Sequence, residues 1–281
     1  MEPLSNKKRR LYFYTYLIVF LALLPVVVLF VQGYRLGTGF SMLRVGGIYV
    51  GGVDSDVEVY LDGTRQENLK SLKRGFFVES LAPGTYSLSI KKEGYSQWDK
   101  IVIVVGEKVV EAYPLLTPLK IEMVNIPKQV ESEGGFFSSA TSTSFVDNEV
   151  FAEVSKLFEQ GTTTQSIKRQ RVTIWSEGAS IKYRWEDDFS TVFPALCGYQ
   201  NCIATSTVYV AKENINRVGF YPERNDVVLF SLSDGVYAVE IDSRSPQKIV
   251  QIYSGKNPDF RVEDDEILYI KEGEDIFQVE I

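Results

Sequence analysis

Two aromatic residues that lie close together, Tyr95 and Trp98, are the clearest candidates for ligand binding in this sequence. They follow Gly94 in the stretch KKEGYSQW. Aromatic rings that are exposed at a surface stack on the apolar faces of sugars, so the pair suggests a carbohydrate-binding platform. The alternative is that Tyr95 packs over the edge of a β-sheet and Trp98 caps its core, as amphipathic aromatic side chains commonly do. We favour this structural interpretation.

The chain contains no histidine. This excludes Ser-His-Asp and Cys-His nucleophilic sites and the zinc sites that use histidine ligands. Chemistry based on carboxylates, on a Ser-Lys pair or on an Asp-bound metal is still open, but no motif indicates it. We therefore expect no catalytic residues, no cofactor and no metal, and we expect that the protein is not an enzyme.

The two cysteines, Cys197 and Cys202, lie close together in CGYQNC. Outside the cytoplasm such a pair can form a small disulfide loop, and the alternative is two free thiols. We favour the disulfide, because a cysteine pair without histidine lacks the ligands of a closed zinc site.

Charged runs occur at several turn-like positions. Asp234-Gly235, Glu272-Gly273 and the acidic run at 263–266 lack the regular oxygen spacing of a calcium loop, so they predict hairpin turns and a solvated sheet edge. The basic run KRQR at 168–171 predicts a solvated turn rather than a phosphate-binding patch. Because the net charge of the chain is −7, nucleic acid is not expected as a partner.

Residues 11–32 form an uncharged, apolar stretch. As a helix it would be about 30 Å long, which matches the hydrocarbon core of a bilayer. The stretch predicts a single transmembrane helix, and the basic residues at 7–10 place the N-terminal tail 1–10 in the cytoplasm and the later domains outside it. The alternative is a signal peptide cleaved near Gly33, but the apolar run is longer than the usual signal core.

After a spacer at 33–44, residues 45–118 fall into short runs separated by turn signals. VEVYL alternates between apolar and polar residues and ends in Asp62-Gly63, and TYSLSIKK follows Pro83-Gly84. Strands of this length and spacing predict a small antiparallel β-sandwich.

The same segment resembles a PEGA domain. The resemblance rests on VEVYLDG, SLAPGTYSLSIKKEGYSQW and IVIVVGEKVVEAYPL, whereas Asp54-Ser55-Asp56-Val57 stands where the family has Pro-Glu-Gly-Ala. It implies a small extracytoplasmic β-sandwich, found in envelope and signalling proteins, without catalytic residues.

Beyond a linker and polar loop at 119–147, residues 148–281 contain a repeat. VVLFSLSDGVYAVEI at 227–241 aligns with EILYIKEGEDIFQVEI at 266–281, and VTIWSEGASIKYRW at 172–185 is a degenerate third copy. This order of strand, turn and strand is typical of propeller blades and resembles those of TolB-like and WD-repeat proteins. The length predicts a small or incomplete propeller-like domain of at most four blades, closed by a strand around 121–126. NEVFAEVSKLFE at 148–159 fits either a helix or a strand.

The predicted fold class is an all-β ectodomain behind one transmembrane helix. The leading hypothesis is a non-enzymatic, single-pass membrane protein of the cell envelope, whose β modules bind or scaffold a wall glycan or a protein. One alternative is an accessory or sensory subunit of a membrane complex. Another is a glycan hydrolase, which would need two carboxyl groups about 5 to 9.5 Å apart in one cleft.

Overall fold

A computed structural model describes residues 6–36, 42–67, 69–72, 74–127, 143–159, 166–186, 197–198, 201–202, 205–242 and 244–281. These residues form mainly β-strands, arranged in several sheets, behind one N-terminal apolar helix. The coarse prediction of a β-rich body preceded by an apolar helix is therefore confirmed.

Helix α1 (Asn6–Val31) covers the apolar stretch and includes Pro25. It is long and apolar enough to cross a membrane, and its apolar window is not buried against other described residues. A signal sequence near an N-terminus meets the same criteria of length and composition. Two short antiparallel strands, β1 (Tyr34–Leu36) and β2 (Met42–Arg44), follow in the predicted spacer.

The next strands form two four-stranded sheets. They are β3 (Gly46–Gly51), β4 (Glu58–Leu61), β5 (Thr64–Arg65), β6 (Lys70–Leu72), β7 (Gly75–Leu81), β8 (Gly84–Lys91), β9 (Trp98–Val104) and β10 (Val109–Ala112). Sheet N1 has the order β10-β3-β7-β6, and sheet N2 has the order β5-β4-β8-β9. Strand β10 runs parallel to β3, whereas the sequence predicted only antiparallel pairs. Alternation along a strand determines which face is buried but not the direction of its neighbour.

Sheets N1 and N2 bury their apolar faces in a common core. Ile48 of β3 and Leu88 and Ile90 of β8 have no exposed surface. The turn signal at Asp62-Gly63 forms a tight hairpin, in which both residues have a positive φ (48° and 77°) and Leu61 pairs with Thr64. Two left-handed residues in a two-residue loop match the twist of the strands that they connect.

The C-terminal part contains three more four-stranded sheets, all antiparallel. Strand β11 (Glu122–Ile126) and helix α2 (Thr143–Glu159) precede β12 (Ile167–Arg169), β13 (Val172–Glu177), β14 (Ser180–Trp185), β15 (Cys197–Gly198), β16 (Asn201–Cys202), β17 (Thr205–Val210), β18 (Arg217–Phe220), β19 (Val227–Leu232), β20 (Gly235–Glu240), β21 (Ile249–Ser254), β22 (Asp259–Glu263), β23 (Ile267–Glu272) and β24 (Asp275–Glu280). Sheet C1 is β12-β13-β14-β17, sheet C2 is β18-β19-β20-β21, and sheet C3 is β22-β23-β24-β11.

The three aligned sequence copies are confirmed as equivalent hairpins in these sheets. They form β13–β14, β19–β20 and β23–β24. Strand β11 pairs with β24, so the strand predicted around 121–126 becomes the fourth strand of C3. The ambiguous segment at 148–159 is helical and belongs to α2. No closed barrel or propeller ring is found among the described residues.

Sheet C2 lies between other layers. Along β19, Val227 and Leu229 join a core that includes residues of N1, N2 and C3, whereas Val228 and Phe230 pack against C1. A strand that is buried on both faces has a continuous run of apolar residues in its sequence. The run VVLF in β19 is of this kind. The outer face of C3 packs on α2 through Tyr269 and Val154.

Candidate functional site

A set of enclosed polar side chains connects sheet N2 to sheet C2. Lys100 of β9 forms an ion pair with Glu240 at the end of β20, and their side chains are 0% and 2% exposed. The ammonium of Lys100 also donates to the carbonyl oxygens of Asp242 (3.1 Å), Arg244 (2.8 Å) and Pro246 (2.8 Å). We call Trp98, Lys100 and Glu240 the buried polar link.

The indole of Trp98 belongs to this link. It is 0% exposed, and its Nε1 donates to Glu240 Oε2 at 2.8 Å. The backbone N–H of Lys248 donates to the other oxygen of the same carboxylate at 2.6 Å. Burial raises the pKa of Glu240, although Lys100 and these donors favour its ionised form. Trp98 thus presents no ring face to a ligand, in agreement with the structural interpretation of this residue.

Tyr95 is partly exposed and lines a groove where the N-terminal sheets meet C2. The groove has a volume of about 840 Å³, and we call it the seam groove. Its walls include Lys92, Tyr95, Leu116, Tyr113, Tyr221 and Arg224. A concave surface of this size that combines apolar, aromatic and polar groups is typical of a ligand site.

Local backbone geometry places Tyr95 at the rim of the seam groove. Gly94 has a φ of 76°, which a residue with a side chain rarely adopts, and the tight turn that it permits is closed by a hydrogen bond from Tyr95 N–H to the Lys92 carbonyl. Tyr95 then forms a β-bridge with Pro118. The ammonium of Lys92 lies 4.7 Å from the centre of the Tyr95 ring, close enough for a cation–π contact.

Lys92 is itself held between two carboxylates. Its Nζ lies 3.4 Å from Asp54 and 3.3 Å from Asp56. Burial lowers the pKa of the Lys92 ammonium, but the hydrogen bonds to the two carboxylates outweigh that effect, so its pKa is raised. At neutral pH Lys92 is therefore a fixed positive charge beside the Tyr95 ring.

Two further tyrosines supply neutral hydroxyl groups. Burial and the adjacent Glu111 carboxylate raise the pKa of Tyr113 to about 12. Burial raises the pKa of Tyr221 to about 12 as well. Both phenols are therefore protonated at neutral pH.

Arg224 closes the opposite wall of the groove, and sequence reasoning missed it. Its guanidinium donates to the carbonyls of Tyr113 (3.0 Å) and Pro114 (2.7 Å) and forms a bidentate pair with Asp226. Burial lowers the pKa of Arg224, but Asp226, together with Tyr221 and Glu240, more than offsets this effect, so the pKa is raised. One sequence signal could have identified this pair: Arg224 and Asp226 lie two residues apart, directly before the apolar run of β19.

The arrangement is suited to binding. The groove combines a partly exposed aromatic ring, phenol hydroxyls, a fixed cation and the apolar side chains of Leu115 and Leu116. Asp226, one of its carboxylates, is paired with Arg224. Glu240, whose pKa is raised, does not line this groove.

The cysteines lie opposite each other in a short antiparallel pair. Strands β15 and β16 place Cys197 and Cys202 in register. Directly opposed residues have Cα atoms about 4.5 to 5.5 Å apart, which suits a disulfide. Their side chains lie outside the described part of the chain, so the disulfide stays a prediction.

No family model matches the sequence, and a search of curated proteins finds no significant match. The geometry of the chain itself is therefore the basis of the functional proposal.

Proposed function

We propose that the chain is a non-enzymatic, single-pass membrane protein of the cell envelope that binds or scaffolds a wall glycan or a protein through the seam groove. The observation that carries the proposal is the seam groove itself, where the partly exposed ring of Tyr95 and the Lys92 cation lie together. The buried polar link supports it, because it holds the two sides of the groove in one fixed geometry.

We also propose that α1 is an uncleaved anchor. Its apolar window is not buried against other described residues, and the basic residues at 7–10 precede it. A basic flank marks the cytoplasmic side of a transmembrane helix, so this orientation would put both groove walls outside the cytoplasm.

The proposed architecture is a PEGA-like β-sandwich followed by propeller-like blades. Sheets N1 and N2 share a core in the manner of a sandwich. Sheets C1, C2 and C3 each have four antiparallel strands, and a strand from an earlier part of the chain completes C3. Four-stranded sheets in this arrangement are the repeating unit of propellers.

The glycan arm of the proposal is tested by sedimenting the full-length chain, in detergent, with purified cell-wall glycan. We expect wild type to sediment and Tyr95→Ala to stay in solution. Tyr60→Ala is the matched control, because the Tyr60 ring also has a lysine ammonium 4.7 Å from its centre but does not line the seam groove. Equal sedimentation of the two variants would contradict binding through the groove.

The protein arm needs a second experiment if wild type does not sediment. A photo-crosslinking amino acid at position 95 should capture a protein in cells, whereas the same group at position 60 should not. If neither position captures a protein and no glycan binds, the proposed function is wrong. If the captured protein is an integral membrane protein and is no longer captured when its membrane helix is removed, the accessory-subunit alternative is favoured instead.

A further inference from the structure

A second pocket lies among the three C-terminal sheets. It has a volume of about 510 Å³, and its lining includes residues of β12, β18 and β22, which are edge strands of C1, C2 and C3. Each of these strands contributes one arginine: Arg169, Arg217 and Arg261. We call this the arginine pocket.

Arg169 comes from the basic run KRQR, for which the sequence predicted a solvated turn. Gln170 and Arg171 do form the turn between β12 and β13, but the side chain of Arg169 is only 12% exposed. It donates to the carbonyls of Tyr221 (2.7 Å) and Arg224 (2.9 Å), pairs with Asp265, and lies 5.1 Å from the centre of the Phe220 ring. The first half of the run thus belongs to the arginine pocket.

Arg217 and Arg261 share a single carboxylate. Asp259 accepts from Nε and Nη2 of Arg217 and from Nη1 of Arg261. Arg261 is held further by the carbonyl of Leu157, at the C-terminal end of α2. Within the described residues, Nη1 of Arg217 has no hydrogen-bond acceptor.

The basic residues of the pocket have carboxylate partners both inside and outside its lining. Its lining contains four basic residues, Lys168 and the three arginines, and two acidic ones, Glu223 and Asp265. Lys168 pairs with Glu186, and Asp259 serves two arginines at once. With Glu186 and Asp259 included, four carboxylates face the four cations, so an incoming anion has to replace one of these partners or bind at the open Nη1 of Arg217.

The remaining wall is apolar and closely packed. Phe220 and Phe260 line the pocket, and a Cβ atom on Gly219 would lie 2.8 Å from the Phe260 ring. Arginine forks are pre-organised for carboxylate and phosphate oxygens. Phe220 and Phe260 are only 2% and 1% exposed, so this wall supports the arginines from behind and the guanidinium groups are the binding surface.

We propose that the arginine pocket binds a small organic anion, whose carboxylate or phosphate group is held by Arg217 with Arg169 and Arg261. The arginine pocket and the seam groove adjoin, since Glu223 lines both, but their tests use different ligands and different variants and so can fail separately. The competing explanation is that these arginines only hold the sheets together, and the experiment has to distinguish the two roles.

The test is calorimetric titration of the full-length chain, in detergent at neutral pH, with glucuronate, glucose 6-phosphate and glucose. We expect at least one anion to bind and uncharged glucose not to bind. Arg217→Gln should weaken anion binding at least tenfold. Arg184→Gln is the control, because Arg184 is an exposed arginine of the same body that does not line the pocket. The stronger of the two anions identifies a carboxylate or a phosphate ligand.

Arg217→Lys provides a second variant in case Arg217→Gln does not fold. It keeps the positive charge beside Asp259 but loses the fork, so it should fold and still bind the anion several times more weakly than wild type. The proposal is wrong if neither anion binds to wild type, if glucose binds equally well, or if binding is the same in the Arg217 and Arg184 variants.

Discussion

The buried polar link between sheets N2 and C2 differs from the arginine pocket in how far its charges are exposed. In the buried polar link, Lys100 and Glu240 are almost completely enclosed. In the arginine pocket, the carboxylates that pair with the arginines remain open to solvent, since Asp265 is 69% exposed and Asp259 is 32% exposed. The charges of the buried polar link are therefore closed to a ligand, whereas those of the arginine pocket are accessible.

The difference follows from the free energy of moving charges out of water. An enclosed ion pair is tolerated only when further hydrogen bonds satisfy both partners, and removing one partner strands the other. Lys100 accordingly has a carboxylate and three carbonyls as acceptors. An accessible ion pair contributes little to stability, so it can exchange partners with an incoming anion.

The largest expected effect is that of Lys100→Met. It leaves the Glu240 carboxylate enclosed without its cation, so we expect the free energy of unfolding to fall by about 3 to 5 kcal/mol. Denaturant unfolding of the full-length chain measures this change. Lys70→Met, which breaks an ion pair whose side chains are 65% and 49% exposed, should change it by less than about 1 kcal/mol.

The double variant Lys100→Met with Glu240→Gln sharpens the test. A glutamine at 240 removes the stranded charge but keeps an oxygen that can accept from Trp98 Nε1. We expect the double variant to be more stable than Lys100→Met alone. Equal losses for Lys100→Met and Lys70→Met would show that the buried polar link is not a structural tie.

Arg224→Met should have the next largest effect. It removes the hydrogen bonds to Tyr113 and Pro114 and leaves Asp226 without its partner, so we expect a loss of about 2 kcal/mol in the free energy of unfolding. Arg65→Met is the control, since its ion pair with Glu58 is exposed on both sides (58% and 39%). The expectation fails if both variants unfold at the same denaturant concentration.

Gly219→Ala tests the packing of the arginine pocket. Its new Cβ would lie 2.8 Å from the Phe260 ring, and Phe260 is 1% exposed. Overpacking of this kind destabilises a protein by about 1 to 3 kcal/mol. Gly84→Ala serves as the control, because the nearest atom to its Cβ would be in Tyr86 at 3.8 Å, an ordinary contact. A thermal unfolding midpoint that is unchanged by Gly219→Ala would contradict the close packing.

Local patterns in the sequence account for the strands and hairpins. The aligned copies at 227–241 and 266–281 were predictable because alternation and turn residues act over a few positions. The helical form of 148–159 was not predictable, since its apolar spacing fits two periods and its packing against C3 decides between them. The parallel pairing of β10 with β3 is likewise a tertiary outcome.

The candidate sites depend on partners that are distant in the sequence. Trp98 is a plausible ligand platform until Glu240, 142 residues later, is seen to accept from its indole. Arg169 reads as part of a solvated turn until Asp265, 96 residues later, is placed beside it. Sequence reasoning identified Tyr95 because a Gly-Tyr turn is a local signal, and it missed Arg224 because the carbonyls that hold it belong to a distant loop.

The smallest expected effect concerns Glu186, whose ion pair with Lys168 is open to solvent. Its ion pair with Lys168, followed by the hydrogen bond from Thr173, lowers the pKa of its carboxyl group from 4.5 to about 2. Because the pKa is lower in the folded state, this contact stabilises the fold above pH 4.5, and the stabilisation is lost as the pH falls toward 2.

Wild type should therefore lose more thermal stability than Glu186→Gln between pH 4.5 and pH 2, because only wild type has this carboxyl group to protonate. The difference should be small and should shrink further in 1 M salt, since the ion pair is accessible to solvent. Thermal unfolding midpoints of the two proteins across this pH range measure it. If the midpoints fall in parallel, the Lys168–Glu186 pair does not stabilise the fold. A large, salt-independent difference would instead show that the Lys168–Glu186 pair is shielded from solvent, as the buried polar link is.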